Sequence, residues 1–91
     1  MATKVNIPIA LQKYAGGKSE IHLDGRNIRG LLKDLVHKTS VPKQKIYNEV
    51  GGIRRFINIY VNNEDIRTLR QEDTPIKGGD EVLIIFAIPG G

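Results

Sequence analysis

Residues 73–91 read DTPIKGGDEVLIIFAIPGG, and the reading of this stretch decides the fold. Lys77-Gly78-Gly79-Asp80 has the composition of a tight turn. Glu81 through Ile88 then reads as a strand that is apolar on both faces. Val82, Ile84 and Phe86 lie on one face, and Leu83, Ile85 and Ala87 on the other. Such a strand suits the interior of a sheet. Beyond it stand Pro89, Gly90 and Gly91, which neither extend a strand nor begin a helix.

Upstream, RFINIYVNNEDIR (55–67) contains the clearest alternation in the chain. Ile57, Ile59 and Val61 point one way, and Phe56, Asn58 and Tyr60 the other. Asn62-Asn63 reads as a turn into a short strand over Asp65-Ile66-Arg67. Leu69, Thr74-Pro75 and Ile76 are expected to cover the core. Ile28, Leu31, Leu32, Leu35 and Val36 form one apolar helical stripe behind an N-cap at Asn27. Gly30 lies within that helix and is expected to allow close packing on the sheet. The helix should stop before Val41-Pro42. A short helical turn is expected around Ile46 and Tyr47, and Gly51-Gly52 reads as a mobile loop. At the start, Val5, Ile7 and Ile9 alternate with Asn6, Pro8 and Ala10. That pattern predicts a strand, with Pro8 at a free edge or bulge. A turn over residues 14–18 and a strand over Ser19–Leu23 complete a hairpin.

The order is ββ-α-β(β)-β. It implies a single α+β domain over residues 1–91, with one main helix on one face of a mixed sheet of about four or five strands. Residues 87–91 are expected to protrude as a flexible tail. One helix covers one face only, so Leu83 and Ile85 should meet Tyr60 on the open side as an apolar patch fit for a partner.

The 91 residues suffice for one small core. No apolar run approaches the roughly 20 residues of a membrane span, and no signal-peptide block opens the chain. The cytoplasm is therefore the expected location, with no membrane partner. There is no cysteine, which excludes disulfides, thiolate metal sites and cysteine nucleophiles. The net charge is +4, but the basic residues run from Lys4 to Lys77 interleaved with acids, and Arg54-Arg55 is the one adjacent Lys/Arg pair. That distribution argues against nucleic acid. His22 and His37 lack matched ligands, so no metal site is expected. The glycine pairs fit no phosphate loop.

Taken together, RFINIYVNNEDIR (55–67), DTPIKGGDEVLIIFAIPGG (73–91) and the insertion PKQKIYNEVGGIRR (42–55) resemble the ubiquitin-like sulfur-carrier family. That family includes the thiamine sulfur carrier and the small subunit of molybdopterin synthase, and the resemblance is strongest to its cysteine-biosynthesis branch. It implies a β-grasp fold and a protein cosubstrate that is not itself an enzyme and binds no cofactor of its own. An E1-type activating enzyme would use ATP and magnesium to adenylate the carboxyl group of Gly91. A sulfur nucleophile would then give a thiocarboxylate for a sulfur-acceptor biosynthetic enzyme. Ile88, Pro89 and Gly90 would thread into these partners, while Pro8, Tyr60, Leu83 and Ile85 would dock them. Pro89 stands where relatives often carry alanine or another small residue, which should stiffen the tail. The carrier is expected to be monomeric. A ubiquitin-like modifier joined to lysines through Gly91, and a small binding module without tail chemistry, are the alternative readings. In the first two readings, glycine at the tip leaves room for a partner's groups to approach the carbonyl, and residues 87–91 span at most roughly 17 Å.

Overall fold

The computed structural model describes residues 2–87. Its elements are β1 (Thr3–Asn6), the helical turn α1 (Ile9–Gln12), β2 (Glu20–Leu23), the main helix α2 (Ile28–Lys38), β3 (Ile57–Val61), β4 (Glu64–Asp65) and β5 (Glu81–Phe86). The five strands form one sheet in the order β2-β1-β5-β3-β4. β1 and β5 run parallel at its centre, and the remaining pairs are antiparallel. The doubly apolar β5 is therefore an interior strand, as its composition requires.

α2 packs its apolar stripe against the inner face of this sheet. Ile28, Leu31, Leu32 and Leu35 are buried beneath it, with Val5, Ile59, Val82 and Ile84 in the same core. Each such side chain contributes roughly 1.5–3 kcal/mol relative to exposure. The Asn27 side chain accepts from the Gly30 N–H at 2.9 Å, which is the expected N-cap. Thr39 ends the helix, its N–H and hydroxyl both donating to the Leu35 carbonyl. Gly30 lies against Gly25 in the β2–α2 link, and not against the sheet.

Several boundaries differ from the sequence reading. β1 stops at Asn6 and does not run on to Ala10. Pro8 supplies no N–H to a ladder, and its φ of −65° instead starts α1. Ile9 then swings out to 85% exposure, and Leu11 takes the buried place. The hairpin survives because the Ile7 N–H donates to the Ser19 carbonyl at 2.8 Å. Beyond α2, a 3₁₀ turn at Lys43–Lys45 brings Ile46 fully into the core. The loop at Gly51-Gly52 is closed by Asn48, whose Oδ1 accepts from the Val50 and Gly52 N–H groups at 3.0 Å each.

Phe56 does not share the outer face with Asn58 and Tyr60. It packs edge-on against Phe86, with ring centroids 5.5 Å apart, at the margin of the core. The Asn62-Asn63 turn forms with φ of 50° and 73°, values that asparagine tolerates. β4 ends at Asp65, one residue into the expected 65–67 strand. The Asp65 carboxylate caps a 3₁₀ turn over Ile66–Thr68 by accepting from the Arg67 N–H. Leu69 remains 39% exposed, whereas Thr74 and Ile76 do cover the core.

Candidate functional site

The side of the sheet away from α2 is the candidate surface, and the register defines it. Reading across the strands, Glu20 stands beside Asn6, Asn6 beside Leu83, Leu83 beside Tyr60, and Tyr60 beside Asp65. Two residues further along β5, Ile85 stands beside Asn58. Side chains two apart share a face, so Leu83, Ile85, Asn58 and Tyr60 all project on this side. Ile85 is 38% exposed, and Leu83 and Tyr60 are half-buried. By contrast, Val82 and Ile84 on the same strand are at most 1% exposed. The predicted meeting of Tyr60, Leu83 and Ile85 is thus in place, with Asn58 as a polar neighbour. Pro8 lies two residues past Asn6, outside the ladder, and is half-buried.

Towards the start of β5 the same face becomes polar. Lys4 Nζ lies 3.5 Å from Glu20 and 3.6 Å from Glu81, and the Asn6 amide donates to Glu81 at 2.9 Å. Glu20, and then Glu81, hold the Lys4 ammonium above its ordinary range. The Asn6 hydrogen bond, and then Lys4, hold the Glu81 carboxyl below its own. This network was not foreseen from sequence, because it depends on the register of three strands. It gives the apolar patch a sharp polar border.

At the other end, the Ala87 N–H donates to the Phe56 carbonyl, extending the β5–β3 ladder by one rung. β5 itself ends at Phe86 among the described residues, so Ala87, expected in the strand, is held beside β3 by this bond. Ile88, Pro89, Gly90 and Gly91 lie outside the described residues, and so do the threading and reactive roles expected of them.

Elsewhere the described residues offer little that resembles an active site. An open cleft of about 500 Å³ lies beside α2, lined by Arg29, Lys33, Lys43, Tyr47, Asn48 and Glu49 among others. Burial, and then Glu72, push the Tyr47 hydroxyl above its usual range, which disfavours the phenolate that a base would need. His22 faces solvent beside Lys4, and His37 is exposed on α2. Among the described residues no group of three or more His, Cys, Asp or Glu could hold a metal ion. No helix there is long and apolar enough to cross a membrane.

The ThiS family model matches residues 5–91. The sulfur carrier protein CysO of Mycobacterium tuberculosis is 33% identical over 93 residues, covering all of both chains. Among solved structures, the Amycolatopsis orientalis BexX/CysO complex contains a chain with a TM-score of 0.88 and 31% identity. That match covers 99% of this protein and 100% of the other. The crystal structure of M. tuberculosis CysO superposes with a TM-score of 0.87 at 32% identity, covering 94% and 99% of the two chains. With its helix-on-sheet architecture, interior last strand and apolar outer face, the chain belongs to the ThiS family of ubiquitin-like sulfur carriers.

Proposed function

We propose that this protein carries sulfur as a thiocarboxylate on Gly91 and delivers it for cysteine synthesis. The carboxylate of Gly91 attacks the α-phosphorus of ATP on an activating enzyme, giving an acyl-adenylate and pyrophosphate. A sulfide-equivalent nucleophile then attacks the carbonyl carbon, the C–S bond forms and AMP leaves. Activation is needed because an α-carboxyl with a pKa of about 3.5 is an anion at neutral pH and a poor electrophile. The chain contains no cysteine, so in this reading the carboxyl carbon is where the sulfur is held. The carrier is a cosubstrate in this scheme, and its partners perform the catalysis. ATP and magnesium belong to the activating enzyme.

The observation that carries the reading is the position of β5. This strand is hydrogen-bonded on both sides within the sheet and anchored through Ala87. It presents Leu83 and Ile85 on the open face, and Ile88, Pro89, Gly90 and Gly91 come after Ala87 in the sequence. The apolar face would dock a partner while those last residues enter its active site. The BexX/CysO complex of A. orientalis supports partner docking by a carrier of this shape.

The test is intact-mass spectrometry after incubation with an adenylating enzyme, ATP, magnesium and a sulfide donor. Exchange of one oxygen for sulfur at the C-terminus is expected, and deletion of Gly91 should abolish it while circular dichroism stays unchanged. Absence of the sulfur-bearing species with a demonstrably active enzyme would refute the scheme. Thiol-resistant adducts to lysines in its place would make the protein a modifier.

A further inference from the structure

The basic residues that look scattered in the sequence are gathered by the fold. β1 runs parallel to β5, and β3 runs antiparallel to it. The β1–β2 connection (7–19) and the α2–β3 connection (39–56) therefore both sit at the end of the sheet where β5 finishes. These two connections contain Lys13, Lys18, Lys43, Lys45, Arg54 and Arg55 against the single acid Glu49, a net +5. Residues 24–27 and 62–80, which include the turns at the opposite end, hold four cations against six acids, a net −2; two of these acids, Asp65 and Glu72, reach the groove beside Arg54 and Arg55, where Arg67 and Arg29 pair with them. The strands and α2 supply the remaining +1 of the chain's +4.

The asymmetry persists in the pairing. Among the described residues, none of the six cations forms an ion pair, whereas Lys77 and Arg67 pair with Asp80 and Asp65. The six residues of β5 span roughly 20 Å, more than twice the screening length of about 8 Å at physiological salt. A partner approaching the β5 terminus therefore meets a cationic end, not the modest average charge. The 42–55 segment is also firmly placed. Ile46 is fully buried, the Arg54 N–H donates to the Ile46 carbonyl at 2.9 Å, and Arg54 Nε donates to the Gln44 carbonyl at 2.6 Å. Ala87 binds the Phe56 carbonyl, one residue from Arg55.

Resting on the sulfur-carrier reading above, we infer that this cationic end docks an acidic protein surface around the opening of the enzyme that receives the tail. It steers the chain so that residues 88–91 arrive first. Charged rims of this kind act mainly on association and its salt dependence. A protein partner suits the geometry better than nucleic acid. The cations are divided between two loops and do not form one stripe, the Tyr14 ring is covered by Lys13 at 5.2 Å, and Tyr47 and Phe56 are partly buried against the core.

The test compares two double charge reversals of the full chain that change net charge equally. Lys45→Glu with Arg55→Glu alters the cationic end, and Arg26→Glu with Arg70→Glu alters exposed positions away from it. With the adenylating enzyme, the first pair should raise the KM for the carrier roughly tenfold at low salt, with kcat retained and the difference shrinking as salt rises. The second pair should shift KM less than about twofold. Fluorescence anisotropy with a labelled polyglutamate peptide should show the same ranking without any enzyme. Equal losses for both pairs, in either assay, would overturn the inference by reducing the effect to net charge. Tighter binding of an RNA oligomer than of polyglutamate of equal charge, lost with the first pair, would overturn it in favour of nucleic acid. Failure of wild-type adenylation together with end-specific polyglutamate binding would count against the carrier chemistry and leave the acidic-surface docking supported.

Discussion

Gly25 is the position where a single methyl group should do most damage for its size. It links β2 to α2, and a Cβ built on it falls 2.5 Å from the Leu31 nitrogen, 2.9 Å from the Leu31 Cα and 3.0 Å from the Gly30 carbonyl carbon. All three are backbone atoms of α2, so no rotamer change relieves the contact. The helix would have to move outward. Leu31 is fully buried and its N–H donates to the Asn27 carbonyl, so that movement loosens the first helical turn and the core beneath it.

Overpacking of this kind costs about 1–3 kcal/mol. Replacing glycine returns about 0.4–1 kcal/mol by restricting the unfolded chain. The net loss for Gly25→Ala then ranges from about 0 to 2.6 kcal/mol with its centre near 1.3, and the central value corresponds to a fall in Tm of roughly 5–10 °C for a domain of this size. Urea unfolding should show a lower midpoint with an unchanged slope. Gly52→Ala is the matched control, because its Cβ would meet only the Asn48 side chain, at 3.5 Å. It should be neutral or slightly stabilising. A Gly25→Ala midpoint at or above that of Gly52→Ala would refute the close approach of the β2–α2 link to α2.

Two further outcomes follow from the same structure. Asp80 accepts from the Asn62 amide at 3.0 Å and from the Lys77 N–H at 2.9 Å, and with 8% of its surface exposed it ties two turns together. The Asn62 hydrogen bond leads in holding its carboxyl below the ordinary value of 3.8, against a partly opposing effect of burial. A depressed carboxyl stabilises fully above its unfolded value, and that stabilisation is lost as pH falls from 3.8 through the lower folded value. Asp80→Ala should cost about 1–3 kcal/mol at neutral pH, and its denaturation midpoint should fall less steeply than wild type below that pH. Equal slopes would remove Asp80 from the acid response. On the outer face, Ile85→Asp should change stability by no more than about 1 kcal/mol while raising the activating enzyme's KM tenfold or more. An unchanged KM would move the docking surface elsewhere.

What sequence could and could not reveal follows from the range of the interactions involved. The α2 stripe, its Asn27 cap and the Lys77–Asp80 turn rest on neighbours a few residues apart, and all formed as read. The opposed faces of β5 follow from its own alternation, and Tyr60 met Leu83 because both strands keep that alternation in antiparallel register. The end of β1 was misread because Ile7 and Ile9 continue an alternating pattern. The decisive fact was local but non-periodic: Pro8 starts a helical turn whose Leu11 fills the core. Phe56 and Leu69 were misplaced since burial at a sheet margin depends on partners distant in sequence, here Phe86 for Phe56. The charge polarity was invisible for the same reason. Lys13 and Arg55 are far apart along the chain, and only the parallel pairing of β1 with β5 puts their connections at one end.

Under the proposed function, the placement of β5 would also let so small a domain stay folded while other proteins act on its last residues. Were β5 an edge strand, a pull on residues 88–91 would oppose a single ladder, and the strand could peel away. As the central strand it is held by β1 on one side and β3 on the other, while Val82 and Ile84 anchor it in the core. Peeling it would expose both of those side chains, at roughly 1.5–3 kcal/mol each, and break two ladders together. The period-two pleat separates this anchoring from recognition, because Leu83 and Ile85 project away from the core that Val82 and Ile84 hold. Changes to the outer pair can therefore retune partner choice with little effect on the fold, whereas changes to the inner pair act on the fold first.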